Sequence, residues 1–183
     1  MQSDSELLRR MELGDAVAFG ELYRRRQASI YRFALHMSRS AAVAEDVVQE
    51  TFLALIRNGG RYDESRGSVA AYLAGIARNL VLRATGAERT GVDAEAEAAL
   101  PSDEDVLGDL TQREELEALR RAVDALPAQY REVVVLCELE EMSYADAAAA
   151  LGVPVGTVRS RLNRGRQMLA ERLVRRQSAR CSV

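Results

Sequence analysis

Ten acidic side chains and a single arginine lie in residues 91–118, a net charge of −9 in a chain of 183 residues whose total is only −3. The run from Gly91 to Leu110 is also rich in alanine, contains Pro101 and carries no sustained apolar stripe. Such a segment has nothing with which to build a core, and it reads as a flexible acidic linker between two folding units. The flanking parts have the opposite sign. Residues 1–90 hold 13 Arg against 11 acids, and residues 119–183 hold 11 Arg against 7 acids. The acidic total therefore does not exclude a nucleic-acid partner, because it sums parts that oppose one another. The division predicted is a first unit over 1–90, a linker over 91–112, a second unit over 113–176 and a tail over 177–183. The two units, of roughly 90 and 65 residues, are each near the lower size limit for folding alone.

Composition narrows the class further. Charged residues make up 29% of the chain, and no stretch of about 18 apolar residues is present, so no membrane insertion is expected. Met1 to Arg10 lacks the apolar centre of a secretory signal. Cys137 and Cys181 are the only cysteines and His36 is the only histidine. No metal cluster, Cys–His pair or disulfide scaffold can be assembled from these, so no cofactor is expected, and a reducing cytoplasm fits. Cys137, directly after the apolar run Val133–Leu136, reads as a small buried hydrophobe. All 25 basic residues are arginine. That is what a codon bias toward GC-rich DNA would produce, and it is also what phosphate and guanine recognition would use.

The periodicity is helical and no alternating strand pattern appears, so the expected fold is all-α. In the first unit, Phe19, Leu22, Tyr23, Ile30, Phe33, Ala34 and Met37 form one stripe. Val43, Val47, Val48, Phe52, Leu55 and Ile56 form another, stopped by Gly59 and Gly60. After the polar loop Arg61–Gly67, Ser68 is the expected N-cap of a helix running to about Thr85. That helix has Leu73, Ile76, Ala77, Leu80 and Val81 on one face and Arg78, Asn79 and Arg83 on the other. In the second unit, Leu116, Leu119, Val123 and Leu126 make a stripe ended by Pro127. A helix over Gln129–Glu140 comes next, with Tyr130, Val133, Val134 and Cys137 inward.

Ser143 to Asp146 resembles a capping box with Asp in place of Glu, and it opens a short helix over Tyr144–Leu151. Gly152 makes a turn, and Pro154 starts a longer helix to about Arg175. Two helices joined by a tight glycine turn match the helix-turn-helix pattern. The alanines at 145 and 147–150 are small enough for the second helix to cross closely. Val153, Val158 and Leu162 would face inward, leaving Arg159, Ser160, Asn163, Arg164 and Arg166 outward. From Gly156 to Val183 there are eight arginines and one acid. Major-groove entry calls for such a face, since phosphates attract it and Arg and Asn can read base edges. A helical hairpin with a solvated basic face would share this composition.

At this point the sequence resembles a family. The stretch Ser143–Leu169, SYADAAAALGVPVGTVRSRLNRGRQML, is similar to the DNA-binding region of bacterial extracytoplasmic-function sigma factors. ALPAQYREVVVLCELEEM before it resembles the helices that precede that motif. In the first unit, AEDVVQETFLALIRN resembles the core-polymerase-binding helix, and RYDESRGSVAAYLAGIARNLVLR resembles the segment that recognises the minus-ten element. With the leading DAVAFGELYRRRQASIYRFA, the resemblance covers nearly the whole chain, in the expected order.

The resemblance implies a sigma factor that binds core RNA polymerase, at its β′ clamp helices and β flap, and directs it to a two-part promoter. Core binding would fall to Glu45, Asp46, Gln49, Glu50 and Leu53; without the family, that polar side is an ordinary solvated face. Capture of the unpaired minus-ten strand would fall to Arg61, Tyr62, Arg66, Tyr72, Arg78, Asn79 and Arg83, because single strands need cationic grooves and aromatic platforms. Tyr72 stands where the family commonly has Trp, and Ile56 where it has an aromatic. Arg159, Ser160, Asn163 and Arg164 would meet the minus-thirty-five element, with Thr157, Arg161 and Arg166 on phosphates or in helix packing. The acidic linker would thread toward the RNA path, where its charge imitates nucleic acid. An anti-sigma factor is a further implied partner, and the chain itself is not expected to be an enzyme. Two alternatives share parts of this pattern: a sigma-like interaction protein that titrates an anti-sigma factor, and a helix-turn-helix regulator, which would have no use for the helix over 43–56.

Overall fold

The computed structural model describes residues 2–86 and 110–180, and among them every regular element is helical. The linker expected over 91–112 lies outside the described residues up to position 109, and its last residues already belong to a helix.

The first half opens with a helix that sequence periodicity does not reveal, α1 (Asp4–Glu12). Ser3 caps it by accepting the Glu6 N–H at 3.2 Å. Acids in the first turn and arginines in the last suit the helix dipole. Leu7 and Leu8 anchor it in the core. Asp15 then caps α2 (Ala16–Ser38), accepting from the amides of Val17 and Ala18 at 2.9 and 3.1 Å while Arg10 holds its other oxygen. The Arg10 hydrogen bond, with the Ala18 amide next, holds the Asp15 carboxyl below the usual carboxylate range.

Helix α3 (Ala41–Asn58) buries Ala44, Val47, Val48, Thr51, Phe52 and Leu55 against α2, where Phe19, Tyr23 and Phe52 form an aromatic cluster. Ile56, expected in this stripe, is instead 55% exposed, one turn beyond exposed Leu53. Two short 3-10 turns, Gly59–Arg61 and Glu64–Arg66, lead to α4 (Val69–Ala84). Ser68 is its N-cap, accepting from Ala71 N–H at 3.2 Å.

The second half begins with α5 (Leu110–Asp124). Its buried face is Ala118, Ala122 and Val123; Leu116 and Leu119, expected inward, lie on the outside, Leu116 at 50% exposure. The small side of this helix packs because α5 lies close against its neighbours, and alanine permits that approach. Helix α6 (Ala128–Val134) does not continue as a regular helix to Glu140. It widens into a π turn over Val135–Leu139, with Glu140 N–H bonded to Val135 C=O at 3.0 Å. Cys137 sits on this turn half-buried, and its burial pushes the thiol up to about 11. Helix α7 (Tyr144–Leu151) has Ser143 as N-cap, and Gly152 ends it in the left-handed region at φ 65°. Helix α8 (Val155–Arg180) runs five residues beyond the expected end and into the expected tail; positions 181–183 lie outside the described residues.

Helix α8 crosses α6 at Gly165, where a Cβ would come within 2.8 Å of Val134 Cγ2. Helix α7, small-sided as expected, has a second partner besides α8. It receives α4 more extensively than α8. A Cβ on Gly75 would lie 3.3 Å from the Ala150 carbonyl oxygen, and one on Gly67 would lie 3.1 Å from Ala149 Cβ. The two halves thus share one continuous buried core.

Candidate nucleic-acid interfaces

The outer face of α8 is built by its inner one. Val158 and Leu162 are buried with Gly165, which fixes the helix rotation and turns Arg159, Ser160, Asn163, Arg164 and Arg166 outward, all exposed. Thr157 and Arg161 are half-buried at the edge. Ser160 Oγ donates to the Thr157 carbonyl at 3.0 Å, and Arg164 reaches Gln167 only at 3.4 Å. Arg166 is held by Glu138 of the π turn, through Nε at 3.1 Å and Nη2 at 2.5 Å. This contact is exposed and therefore weak.

The second cationic set surrounds the loop before α4. Tyr62 and Tyr72 pack with ring centroids 5.7 Å apart. Tyr62 OH donates to the Gly67 carbonyl at 3.0 Å and Tyr72 OH to that of Asn58 at 3.3 Å, so the pair braces the loop from both ends. Arg61, Arg66, Asn79 and Arg83 are exposed. Arg78 is not the solvated residue that its helix face suggests: its Nε donates to Glu132 Oε1 of α6 at 2.7 Å, and Glu132 is 3% exposed. Most of this set lines a groove of about 860 Å³ whose opposite wall is α7 and the turn after it.

The five residues assigned to polymerase binding, Glu45, Asp46, Gln49, Glu50 and Leu53, share the exposed side of α3, with Ile56 extending it. Glu45 and Gln49 also rim a groove of about 670 Å³ floored by Tyr23, Tyr31, Leu35 and Val48, with Arg32, His36 and Arg120 on its other side. Among the described residues there is no group of three or more His, Cys, Asp or Glu placed to hold a metal ion.

Sequence reasoning missed the acids of the second half that reach the first. Asp146 is one. It accepts a hydrogen bond from Ser143 Oγ at 3.0 Å, but its Oδ1 accepts the Ser68 N–H at 2.9 Å, at the start of α4. Arg32 of α2 forks onto Glu140 at 2.7 and 2.6 Å, and His36 Nδ1 lies 2.8 Å from Asp124 Oδ1. Asp146 reads locally as the acid of a capping box and the others carry no local signal, since no local pattern distinguishes an acid that faces another unit.

The comparisons with known proteins divide along the same two halves. Residues 22–89 match the family model described as Sigma-70 region 2, and residues 116–169 match that described as Sigma-70, region 4. The ECF RNA polymerase sigma factor SigM of Mycobacterium tuberculosis is 35% identical over 174 residues, spanning 94% of this chain and 85% of SigM. The chain belongs to the ECF RNA polymerase sigma factors. As a sigma factor it serves promoter-specific transcription initiation. The ECF sigma factor SigE of Mycolicibacterium smegmatis is 36% identical across 90% of this chain, which spans 66% of the length of SigE. Two solved structures are similar over most of both chains. One is CnrH in complex with the cytosolic domain of CnrY (TM-score 0.71, 27% identity, 94% of this chain and 97% of that one). The other is the sigma factor RpoE in complex with the anti-sigma factor NepR from Bartonella quintana (0.68, 28%, 85% and 96%).

Proposed function

We propose that this sigma factor binds core RNA polymerase through the exposed face of α3, at Glu45, Asp46, Gln49, Glu50 and Leu53, and reads a promoter in two parts. Arg159, Ser160, Asn163 and Arg164 meet the minus-thirty-five duplex, with Thr157, Arg161 and Arg166 on its phosphates. Arg61, Tyr62, Arg66, Tyr72, Arg78, Asn79 and Arg83 hold the opened minus-ten strand. Residues 1–90 and 113–176 act as the two working units. The polymerase performs the chemistry, and the sigma factor works in the cytoplasm; among the described residues no helix is long and apolar enough to cross a membrane. An anti-sigma factor is proposed as a partner because two structurally similar chains were solved with a bound protein, in one case named as an anti-sigma factor.

The observation that supports this reading best is the separation of two arginine-bearing surfaces onto two halves, with an acidic and apolar face on α3 distinct from both. A helix-turn-helix regulator would need only the surface on α8. The test is transcription with purified core polymerase over fragments of the source genome. Initiation at defined sites with a shared two-part element is expected, and the absence of any promoter-specific transcript would overturn the reading.

A further inference from the structure

Two uncommon backbone features adjoin Glu138. The π turn over Val135–Leu139 widens the helix that carries it, with Glu140 N–H bonded to Val135 C=O. Such widenings are rare and occur often where a side chain has a task. Glu141 then takes the left-handed region at φ 52°, which a residue with a Cβ enters only at a cost. Together they deliver Glu138 to Arg166 on α8. Its Oε1 accepts from both Nε at 3.1 Å and Nη2 at 2.5 Å. The Glu138 hydrogen bond, and then its charge, raise the Arg166 pKa, and the Tyr144 hydroxyl at the start of α7 adds a hydrogen bond of its own. Arg166 is thus gripped by two side chains from outside its helix. Arg164, by contrast, reaches Gln167 of its own helix at 3.4 Å.

Stability does not account for this grip. The Arg166 side chain is 54% exposed and that of Glu138 38%, and an exposed pair contributes little to folding. What the grip fixes is direction. A guanidinium has five N–H donors. Glu138 takes two and Tyr144 one, which leaves the others for a ligand, on a side chain whose rotamer is already chosen. An arginine free in solution loses that choice when it meets a phosphate, and binding carries the cost. One held beforehand has less to lose. The bridge also strengthens in a complex, because DNA laid over the helix displaces water and a charge-assisted hydrogen bond gains as the local dielectric falls.

Resting on the sigma reading, we propose that Glu138 is a positioning residue for promoter recognition: it aims Arg166 at a backbone phosphate of the minus-thirty-five duplex. Glu138 does not itself touch DNA. Phosphate contacts set how a protein sits on the duplex, while base edges supply the sequence information. A phosphate held at Arg166 fixes the depth and rotation at which Arg159, Ser160, Asn163 and Arg164 are presented to the groove.

The test is a double-mutant cycle on the full chain, read by fluorescence anisotropy against a labelled duplex pool of random sequence, with a random single-strand pool as control. Glu138→Ala should bind the duplex about fivefold more weakly, the scale of one side chain's ordering cost, and the single strands as before. The same change in an Arg166→Ala background should have no effect. Glu138→Gln, which keeps the accepting oxygen, should recover much of the loss. Arg166→Lys keeps the charge but cannot fork onto Oε1, and should fall to the level of Glu138→Ala. An equal loss in both backgrounds, or on both pools, would give Glu138 a merely structural role and overturn the proposal. Tighter duplex binding by Glu138→Ala and Glu138→Gln alike would also overturn it, since the carboxylate would then be repelling phosphates. Should Glu138→Ala fail to fold, Arg166→Lys decides alone: duplex binding equal to that of the wild type overturns the proposal. None of these results touches the sigma reading, which stands or falls on promoter-specific transcripts from the wild-type chain with core polymerase.

Discussion

The arginine face of α8 and that of α4 have the same chemistry and opposite access. On α8, Arg159, Arg164 and Arg166 point into solvent, and Glu138 engages Arg166 from an exposed edge. On α4 the central arginine is covered by a buried glutamate from another unit. A bridge in water contributes little and breaks readily. A buried one is costly to break on one side, since the partner is left as an unpaired charge. Helix position alone therefore does not make an arginine available; availability depends on what packs over the helix.

The largest expected effect comes from separating the two surfaces structurally. Gly165→Val places a side chain where Val134 already stands and should dislodge α8 from α6. An overpacked crossing of this kind costs about 3 kcal/mol. In a urea melt followed by circular dichroism, loss of stability with duplex binding impaired more than single-strand binding is expected; an unshifted midpoint would mean that the crossing can give way. Arg164→Ala comes next. It should weaken minus-thirty-five duplex binding about tenfold and leave the random single-strand pool bound as before, in line with the loss of one charge-assisted contact. Equal losses on both ligands, measured by fluorescence anisotropy, would show that the two faces are not independent.

The smallest effect tests the first half alone. Asp15 has its pKa depressed by Arg10 and the amides of α2. Its stabilising contribution is fully present above the unfolded value near 3.8 and is lost as pH falls from there through the lower folded value. Asp15→Asn should therefore flatten the acid limb of the melting-temperature profile below about pH 4, with little change in either DNA affinity. An acid limb as steep as that of the wild type would assign the loss to another carboxylate.

Much of the fold was legible because helix ends are local. Ser68 caps α4, Gly152 ends α7 in a left-handed turn, Gly59 opens the 3-10 turn after α3, and Val158 with Leu162 already set the rotation of α8. What was not legible depends on partners. The stripe Leu116, Leu119 and Val123 shows which residues share a side of α5, but alanines on the adjoining side make the closer contact. Ile56 belongs to the period of α3 and yet passes the end of the surface that could cover it. The alanines of α7 admit α8 as their size suggests, and what they do not announce is that α4 packs on the same short helix more extensively. Arg159 and Arg164 on α8 are as exposed as their helix face suggests, whereas Arg78 on α4 meets an acid 54 positions away that no local pattern reveals.

The π turn at Val135–Leu139 sets the phase of everything after it. Upstream, α6 points Glu132 at α4 and Val134 at α8; downstream, Glu138 points to α8 and Glu140 to α2. With 3.6 residues per turn, removing one residue from the widened turn would rotate the downstream pair by about 100° relative to the upstream one. Both of their bridges would lose register together while Glu132 stayed aimed at Arg78. The chain thus carries a gear of one extra residue, and its two sides can be turned against each other by a single deletion.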